Sequence, residues 1–140
     1  MTTDTSDAFK RNEHKIFAGL ARTPNALQIA LPFPVSVNNL FLNARGRGRI
    51  PSPAYRQWRE DAGWALKAQK PPRIPGPIEI ALGLTPPDRR ARDIDNLFKG
   101  VLDLLVTHEI IDGDDSRTVR RVSAEWVNGD PCTVTIRSVE

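Results

Sequence analysis

The sequence predicts a small α/β domain with a mixed sheet of about four strands and two main helices. Three observations support this prediction. Apolar residues alternate with other residues along four short segments, which is typical of strands. Two longer segments carry apolar residues at helical spacing and separate the first three strands. The chain has 140 residues, which is enough for one modest core and too few for two.

The first half of the chain is predicted to run strand, loop, helix, strand. Leu27, Ile29 and Leu31 alternate in a first strand at residues 26–31. A loop over residues 35–50 follows. A helix then begins at Ser52-Pro53, because a hydroxyl N-cap followed by proline is a typical helix start. The prolines at 71 and 72 end this helix, and Ile78–Leu84 is the second strand.

The second half is predicted to add one helix and two strands. Residues 96–106 form the helix, capped by Asp95 or Asn96, with a buried apolar stripe of Leu97, Val101, Leu104 and Leu105. Residues 117–127 and 133–139 are the last two strands. The sequence Asn-Gly-Asp-Pro at 128–131 predicts a hairpin turn that joins them directly.

Composition limits the domain boundaries, the partners and the cysteine chemistry that this chain can have. Residues 1–24 are polar with few large apolar groups, so we expect a flexible N-terminal tail before a domain at residues 25–140. A net charge of +3 permits a nucleic-acid partner without requiring one. A single cysteine excludes an internal disulfide and a cysteine-rich zinc site. Neither a membrane-spanning run nor a signal-peptide pattern is present, so we expect a cytoplasmic protein that does not bind membranes.

Residues 86–99 concentrate the side chains that suggest chemistry. Three arginines precede two aspartates and a lysine in this order: Arg89, Arg90, Arg92, Asp93, Asp95 and Lys99. Guanidinium groups hold phosphate oxygens, and carboxylates hold hard divalent metals, so the mixture suits metal-assisted attack on a phosphodiester. Residues two apart share a face only in an extended segment, so joint chelation by the aspartates requires residues 92–95 to be extended.

Simpler interpretations exist for each part of this pattern. Asp95 could be only a helix cap, and Asp95 with Lys99 only a surface pair one helical turn apart. The acidic segment Asp-Gly-Asp-Asp at 112–115 could be only a turn. Residues 43–49 alternate arginine with glycine, which could form either a phosphate-binding loop or a solvated one. The arginines concerned are Arg45, Arg47 and Arg49.

Three segments together resemble a known family. They are Pro-Phe-Pro-Val-Ser-Val-Asn from residue 32, Pro-Asp-Arg-Arg-Ala-Arg-Asp-Ile-Asp-Asn-Leu-Phe-Lys from residue 87, and Asp-Asp-Ser-Arg-Thr-Val from residue 114. In this order, and over about residues 27–139, they resemble the RusA family of Holliday junction resolvases. The resemblance implies a homodimeric, Mg²⁺-dependent endodeoxyribonuclease, bacterial or phage-encoded, that makes paired nicks across a four-way DNA junction.

The resemblance also implies roles for individual residues. The essential aspartates fall on Asp93, Asp95 and one of Asp114 and Asp115, and the catalytic lysine falls on Lys99. The acidic turn is one residue longer than the family pattern, so matching Asp-Asp-Ser favours Asp115, whereas counting from Asp95 without a gap gives Asp114. DNA binding is assigned to Asn38, Arg45, Arg47, Arg49, Arg89, Arg90 and Arg92.

Two other functions stay open at this point. One is a module that binds branched DNA without cutting it, although a pure binder gains nothing from carboxylates placed beside phosphate. The other is a Mg²⁺ nuclease of the same fold that acts on flaps or other branches.

Overall fold

The computed structural model describes residues 26–139, in which a mixed four-stranded sheet packs with two helices. The strands are β1 (Leu27–Leu31), β2 (Phe41–Ala44), β3 (Gly48–Pro51), β4 (Ile78–Leu84), β5 (Val119–Trp126) and β6 (Cys132–Ser138). The helices are α1 (Pro53–Gln69) and α2 (Lys99–Thr107), with 3-10 helices at Val37–Asn39 and Ile94–Leu97. The predicted α/β class is confirmed. The predicted tail at residues 1–24 lies outside the described residues.

The main sheet has the order β1-β6-β4-β5, with β4 and β5 parallel and the other pairs antiparallel. The predicted hairpin between the last two strands is therefore wrong, because β4 lies between β5 and β6. The connecting turn crosses the end of β4 and is fixed there by Thr85. The Thr85 amide donates to the Pro131 carbonyl at 3.1 Å, and the Thr85 hydroxyl donates to the Asp130 carbonyl at 2.8 Å.

The core lies around the central strands β4 and β6. Ile80 and Leu82 from β4 and Ile136 from β6 are fully buried, together with Leu66 of α1 and Leu105 of α2. Each such side chain stabilises the fold by about 1.5–3 kcal/mol relative to an exposed one. The segments that follow β4 and α2 therefore leave from a firmly packed base.

The predicted loop at residues 35–50 is instead a 3-10 turn followed by a hairpin of β2 and β3. Gly46 and Gly48 take positive φ angles of 73° and 70°, which allow the tight reversal after Ala44. The Phe41 ring packs edge-on against Tyr55 of α1, with the ring centroids 5.7 Å apart. The abundance of arginine and glycine conceals this short strand pair in the sequence.

The two helices bear out the predicted packing, but one of them starts later than expected. Ser52 caps α1 as predicted, with its hydroxyl accepting the Tyr55 amide at 3.0 Å. The predicted stripe on α2 is buried. However, α2 begins at Lys99, because residues Ile94–Leu97 form a 3-10 turn first. Neither Asp95 nor Asn96 occupies the cap position of α2.

None of the helices within residues 26–139 is both long and apolar enough to cross a membrane.

Ser52 joins the hairpin to α1, which makes a stability prediction possible. Its buried hydroxyl caps the helix and also donates to the Asn39 carbonyl at 2.7 Å. We expect Ser52→Ala to lower the free energy of unfolding by about 1–2 kcal/mol, because a helix cap and a buried hydrogen bond are lost. Urea denaturation measures this. Ser123→Ala, at an exposed position of β5, is the control and should change stability by less than about 0.5 kcal/mol. Equal stability of the two variants would contradict the role of the cap.

Candidate active site

Lys99, the first residue of α2, lies between two carboxylates. Its Nζ is 3.0 Å from Oδ1 of Asp103 and 3.1 Å from Oδ2 of Asp114. Asp103 is one turn further along α2, and Asp114 belongs to the acidic segment that leads to β5. Hydrogen bonds to Asp103 first and Asp114 second raise the pKa of the Lys99 ammonium. The two carboxylates therefore already hold a positive charge at this position.

Asp115, the neighbouring aspartate, has different partners. Its carboxylate accepts the backbone amide of Arg117 at 2.9 Å and the Arg117 guanidinium at 2.7 Å. Its backbone carbonyl accepts the amides of Thr118 and Val119. The Arg117 guanidinium, assisted by the Arg117 amide, lowers the pKa of the Asp115 carboxyl. Asp115 thus shapes the turn into β5, whereas Asp114 faces Lys99.

Asp93 and Asp95 lie on either side of the start of the 3-10 helix. Asp93 is extended, with φ −90° and ψ 117°, but Asp95 belongs to the 3-10 helix at Ile94–Leu97. The extended segment over residues 92–95 that joint chelation by the two aspartates requires therefore does not continue beyond Asp93. Ile94, between the two aspartates, is half-buried against the core. Both carboxylates are exposed.

Asp93 lines a surface cleft with several of the predicted DNA-binding residues. We call this the Asp93 cleft; its lining includes Phe33, Asn38, Arg90, Arg92, Asp93 and Asn96. The 3-10 helices at Val37–Asn39 and Ile94–Leu97 contact each other, which is how Asn38 reaches a position close to Asp93. Residues that are more than fifty positions apart in sequence are thus brought together.

Asp88 fixes the position of two arginines of this cleft. Its carboxylate oxygens accept two hydrogen bonds from the Arg92 guanidinium, at 2.7 and 3.0 Å, and one from the Arg90 backbone amide at 2.9 Å. These contacts, with Arg92 first, hold the pKa of the Asp88 carboxyl well below its usual range. The Arg92 guanidinium also lies over the ring of Phe33, 5.5 Å from its centroid. Arg89 lies further out, in a groove that also includes Trp126.

The hairpin lies beside a second cleft, which its residue Phe41 lines. This Asp114 cleft is lined by Phe41, Tyr55, Arg59, Asp103, His108 and Asp114, among others. The Arg49 guanidinium lies over the Phe41 ring, 4.7 Å from its centroid. Arg45 and Arg47 are exposed at the hairpin tip. Of the predicted loop arginines, Arg49 therefore contacts a residue that lines the Asp114 cleft, whereas Arg45 and Arg47 lie at the hairpin tip.

The donor atoms suit a hard divalent ion. The candidate carboxylates are exposed, and oxygen is the donor that Mg²⁺ prefers. Within residues 26–139 no three His, Cys, Asp or Glu side chains are close enough to hold a metal by themselves. A metal here would take further ligands from water or phosphate, as Mg²⁺ usually does. Asp103 and Asp114 together carry two negative charges, of which the Lys99 ammonium balances one.

Comparison with known proteins identifies the family. Residues 32–137 match the model of a family described as Endodeoxyribonuclease RusA. The match includes both clefts and all the predicted site residues. The chain belongs to the RusA family.

Individual relatives are consistent with this assignment. The chain is 31% identical over 83 residues to the crossover junction endodeoxyribonuclease RusA of Aquifex aeolicus, covering 59% of this chain and 66% of that protein. It is 33% identical over 82 residues to the protein of the same name in Escherichia coli K12, covering 58% of this chain and 68% of the relative. The namesake from Enterobacteria phage 82 is also 33% identical over 82 residues. The aligned part thus spans about two thirds of each relative.

Sequence reasoning did not find two residues that organise this RusA-family site. Asp103 holds Lys99, and Asp88 holds Arg90 and Arg92. A signal for both was available, because Asp103 follows Lys99 by four residues and Asp88 precedes Arg92 by four. Lys99 has an aspartate four residues away on each side, Asp95 and Asp103, so spacing alone does not identify its partner.

The contact between Asp103 and Lys99 can be tested without any assay of activity. Asp103→Asn should lower the pKa of the Lys99 ammonium, because the strongest acceptor loses its charge. The amine then loses its proton at a lower pH than in the wild type. An NMR titration that follows the Lys99 side-chain resonances measures this. Asp61→Asn removes the same charge from an exposed site on α1 and should leave the titration of Lys99 unchanged. An equal effect of both variants would contradict a specific contact.

Proposed function

We propose that this protein is a Mg²⁺-dependent endonuclease that resolves four-way DNA junctions by paired nicks and acts as a homodimer in the bacterial cytoplasm. Membership of an endodeoxyribonuclease family and relatives named for crossover junctions support this proposal. The structural observation on which this proposal depends is the contact of Lys99 with Asp114. Lys99 follows Asp93 and Asp95 closely in the sequence, so the contact connects their segment to the acidic segment before β5.

The proposed metal ligands are Asp93, Asp95 and Asp114. Asp95 lies in the 3-10 helix, and within residues 26–139 the three carboxylates are not close enough to hold a metal by themselves, so the proposal requires this turn to rearrange when metal and phosphate bind. When bound, Mg²⁺ polarises the scissile phosphate and makes a bound water more acidic. Asp114 is chosen over Asp115 because Asp114 lines the cleft and contacts Lys99, whereas the Asp115 carboxylate pairs with Arg117 in the turn into β5. This reverses the preference that the Asp-Asp-Ser match gave, and agrees with the count from Asp95 without a gap.

Lys99 is proposed to act on the phosphate rather than on the metal. In the free protein its ammonium is balanced by two carboxylates. A phosphate oxygen that enters the Asp114 cleft would compete for the same protons. The ammonium then stabilises the extra negative charge that develops during phosphodiester hydrolysis. Asp103, one turn away on α2, is a positioning residue that holds the ammonium towards the cleft.

The proposed DNA contacts lie on both sides of the aspartates. Asn38, Arg90 and Arg92 line the Asp93 cleft, while Arg49 of the hairpin lies over Phe41, which lines the Asp114 cleft. Contacts to phosphate fix the register of DNA on a protein but do not read its sequence. Asp88 restricts the freedom of Arg92 before DNA arrives, so less side-chain entropy is lost on binding.

A homodimer follows from the geometry of the substrate. Paired nicks fall in two strands that a two-fold axis relates, and one domain of this size carries one set of carboxylates. A dimer with two-fold symmetry supplies two such sets in matching orientation from one self-complementary interface. The names of the relatives favour junctions over flaps as the substrate.

The proposal predicts a metal-dependent and carboxylate-dependent nuclease. Wild-type protein should cut a labelled four-way junction with Mg²⁺ and not with EDTA, and should cut flap and linear duplex far less. Asp95→Asn should reduce cutting by more than about a hundredfold, because loss even of an outer partner of a metal ligand costs 10–100-fold. Its junction affinity should be unchanged or higher, since a negative charge beside phosphate is removed. Gel electrophoresis measures both. Asp61→Asn is the matched control, and near-wild-type cutting by Asp95→Asn would refute the metal site.

The choice of third carboxylate predicts an asymmetry between neighbours. Asp114→Asn should reduce cutting by more than about a hundredfold, as expected for a metal ligand, and leave thermal stability close to wild type. Asp115→Asn should cut more slowly than wild type yet remain active. It should be slightly less stable because the charged partner of the Arg117 guanidinium is lost, while the asparagine oxygen can still accept the Arg117 backbone amide. Cleavage rates and melting curves of both variants measure this. An inactive Asp115→Asn beside an active Asp114→Asn would reverse the assignment.

A further inference from the structure

The β2–β3 hairpin has two chemically different faces. Antiparallel pairing places Asn43 opposite Arg49, on the same face as Phe41, and this face turns towards the core through Phe41. Leu42 lies opposite Ile50 on the other face. Successive residues of a strand point to opposite sides, so these two side chains are directed away from the packing of Phe41. Leu42 is 49% exposed and is therefore accessible to a partner.

Positive charge lies at the tip of the hairpin next to this apolar face, and also on the opposite face. Arg45 and Arg47 occupy the tip of the hairpin, and Arg49 lies beside Phe41 on the other side of the same strand pair. Cations in this density indicate a polyanionic partner. Phosphate alone gives a leucine nothing to contact. An apolar side chain among arginines is instead typical of proteins that place a wedge against unstacked bases.

The hairpin is held firmly at its base, as such a wedge requires. The Ser52 amide donates to the Leu40 carbonyl at 2.8 Å, and the Ser52 hydroxyl donates to the Asn39 carbonyl at 2.7 Å. Phe41 packs against Tyr55 on one side and lines the Asp114 cleft on the other. The base of the hairpin and the cleft are thus joined by one aromatic side chain.

We infer that the face formed by Leu42 and Ile50 contacts bases at the branch point of DNA, and that this contact distinguishes branched DNA from continuous duplex. The inference rests on the proposed function and adds the part of the chain that recognises the branch. In continuous duplex the bases are stacked and the face finds no apolar partner. At a branch, base pairs next to the crossover unstack at lower cost and bury the leucine.

The test compares binding of full-length protein to two DNA molecules of the same sequence, in EDTA so that neither is cut. One is a four-way junction with 2-aminopurine beside the branch point, and the other is the linear duplex. Leu42→Asn should reduce the preference for the junction about tenfold, equivalent to about 1.4 kcal/mol. It should also abolish the rise in 2-aminopurine fluorescence that wild-type protein causes.

Two control variants separate this effect from charge and from general surface change. Val122→Asn replaces an exposed apolar residue of β5, 45% exposed, and should keep both the preference and the fluorescence rise. Arg47→Ala should weaken binding to both DNA molecules alike, and should reduce the slope of log affinity against log salt by about 0.9.

The possible outcomes are distinct. If wild-type protein shows no preference for the junction, the proposed function itself fails. If wild-type protein prefers the junction and Leu42→Asn does so equally, the proposed function stands and the inference about the hairpin is overturned. A change from dimer to monomer on sedimentation of free Leu42→Asn would make the face a subunit contact and would also overturn it. Leu42→Phe keeps the face apolar and should retain the preference for the junction. If Leu42→Asn and Leu42→Phe both lose this preference, the cause is a damaged hairpin and not a missing base contact, and the inference is overturned.

Discussion

The contact of the Lys99 ammonium with Asp103 and Asp114 is the interaction on which the arrangement of the site depends. An exposed ion pair contributes little to stability, so its importance is in position. The pair connects the start of α2 to the acidic segment before β5, which the core alone does not fix. The core does fix α2 itself, through the buried side chains of Val101, Leu104 and Leu105. Hydrophobic packing therefore fixes the backbone position of Lys99, and the two carboxylates fix the position of its ammonium group.

Around Asp93, hydrophobic packing and charged contacts again position different parts of the site. Ile94 packs against the core within the 3-10 turn and the flanking aspartates are exposed, while Asp88 holds Arg90 and Arg92 in defined positions beside them. The aspartate carboxylates and the arginine guanidinium groups lie close together, and each group has a separate proposed role. In the proposed nuclease the carboxylates hold the metal and the arginines hold the DNA, and both must lie within reach of one phosphodiester. A segment that alternates the two charges along an irregular turn meets this requirement.

The sequence predicted those features that depend on local patterns. Strand alternation gave β1 and β4, and the Ser52-Pro53 start gave α1, because burial and capping act over a few residues. The insertion of β4 between β5 and β6 depends on distant contacts, such as those of Thr85, and the turn sequence Asn-Gly-Asp-Pro suggested a direct hairpin instead. For the site, the aspartates, Lys99 and the arginines were visible in sequence. The partners that position them were not, since spacing alone does not tell whether Lys99 pairs with Asp95 or with Asp103.

The central claim is that this RusA-family protein resolves four-way junctions by two coordinated nicks. The most direct test is the incubation of full-length protein and Mg²⁺ with a supercoiled plasmid that extrudes a cruciform, followed by gel electrophoresis at early times. Coordinated nicking across the junction, before the cruciform is reabsorbed, predicts linear plasmid as the first product, and EDTA should prevent it. Open circles as the first and only product would contradict the claim, because a single nick relaxes the plasmid and removes the junction before a second nick can follow.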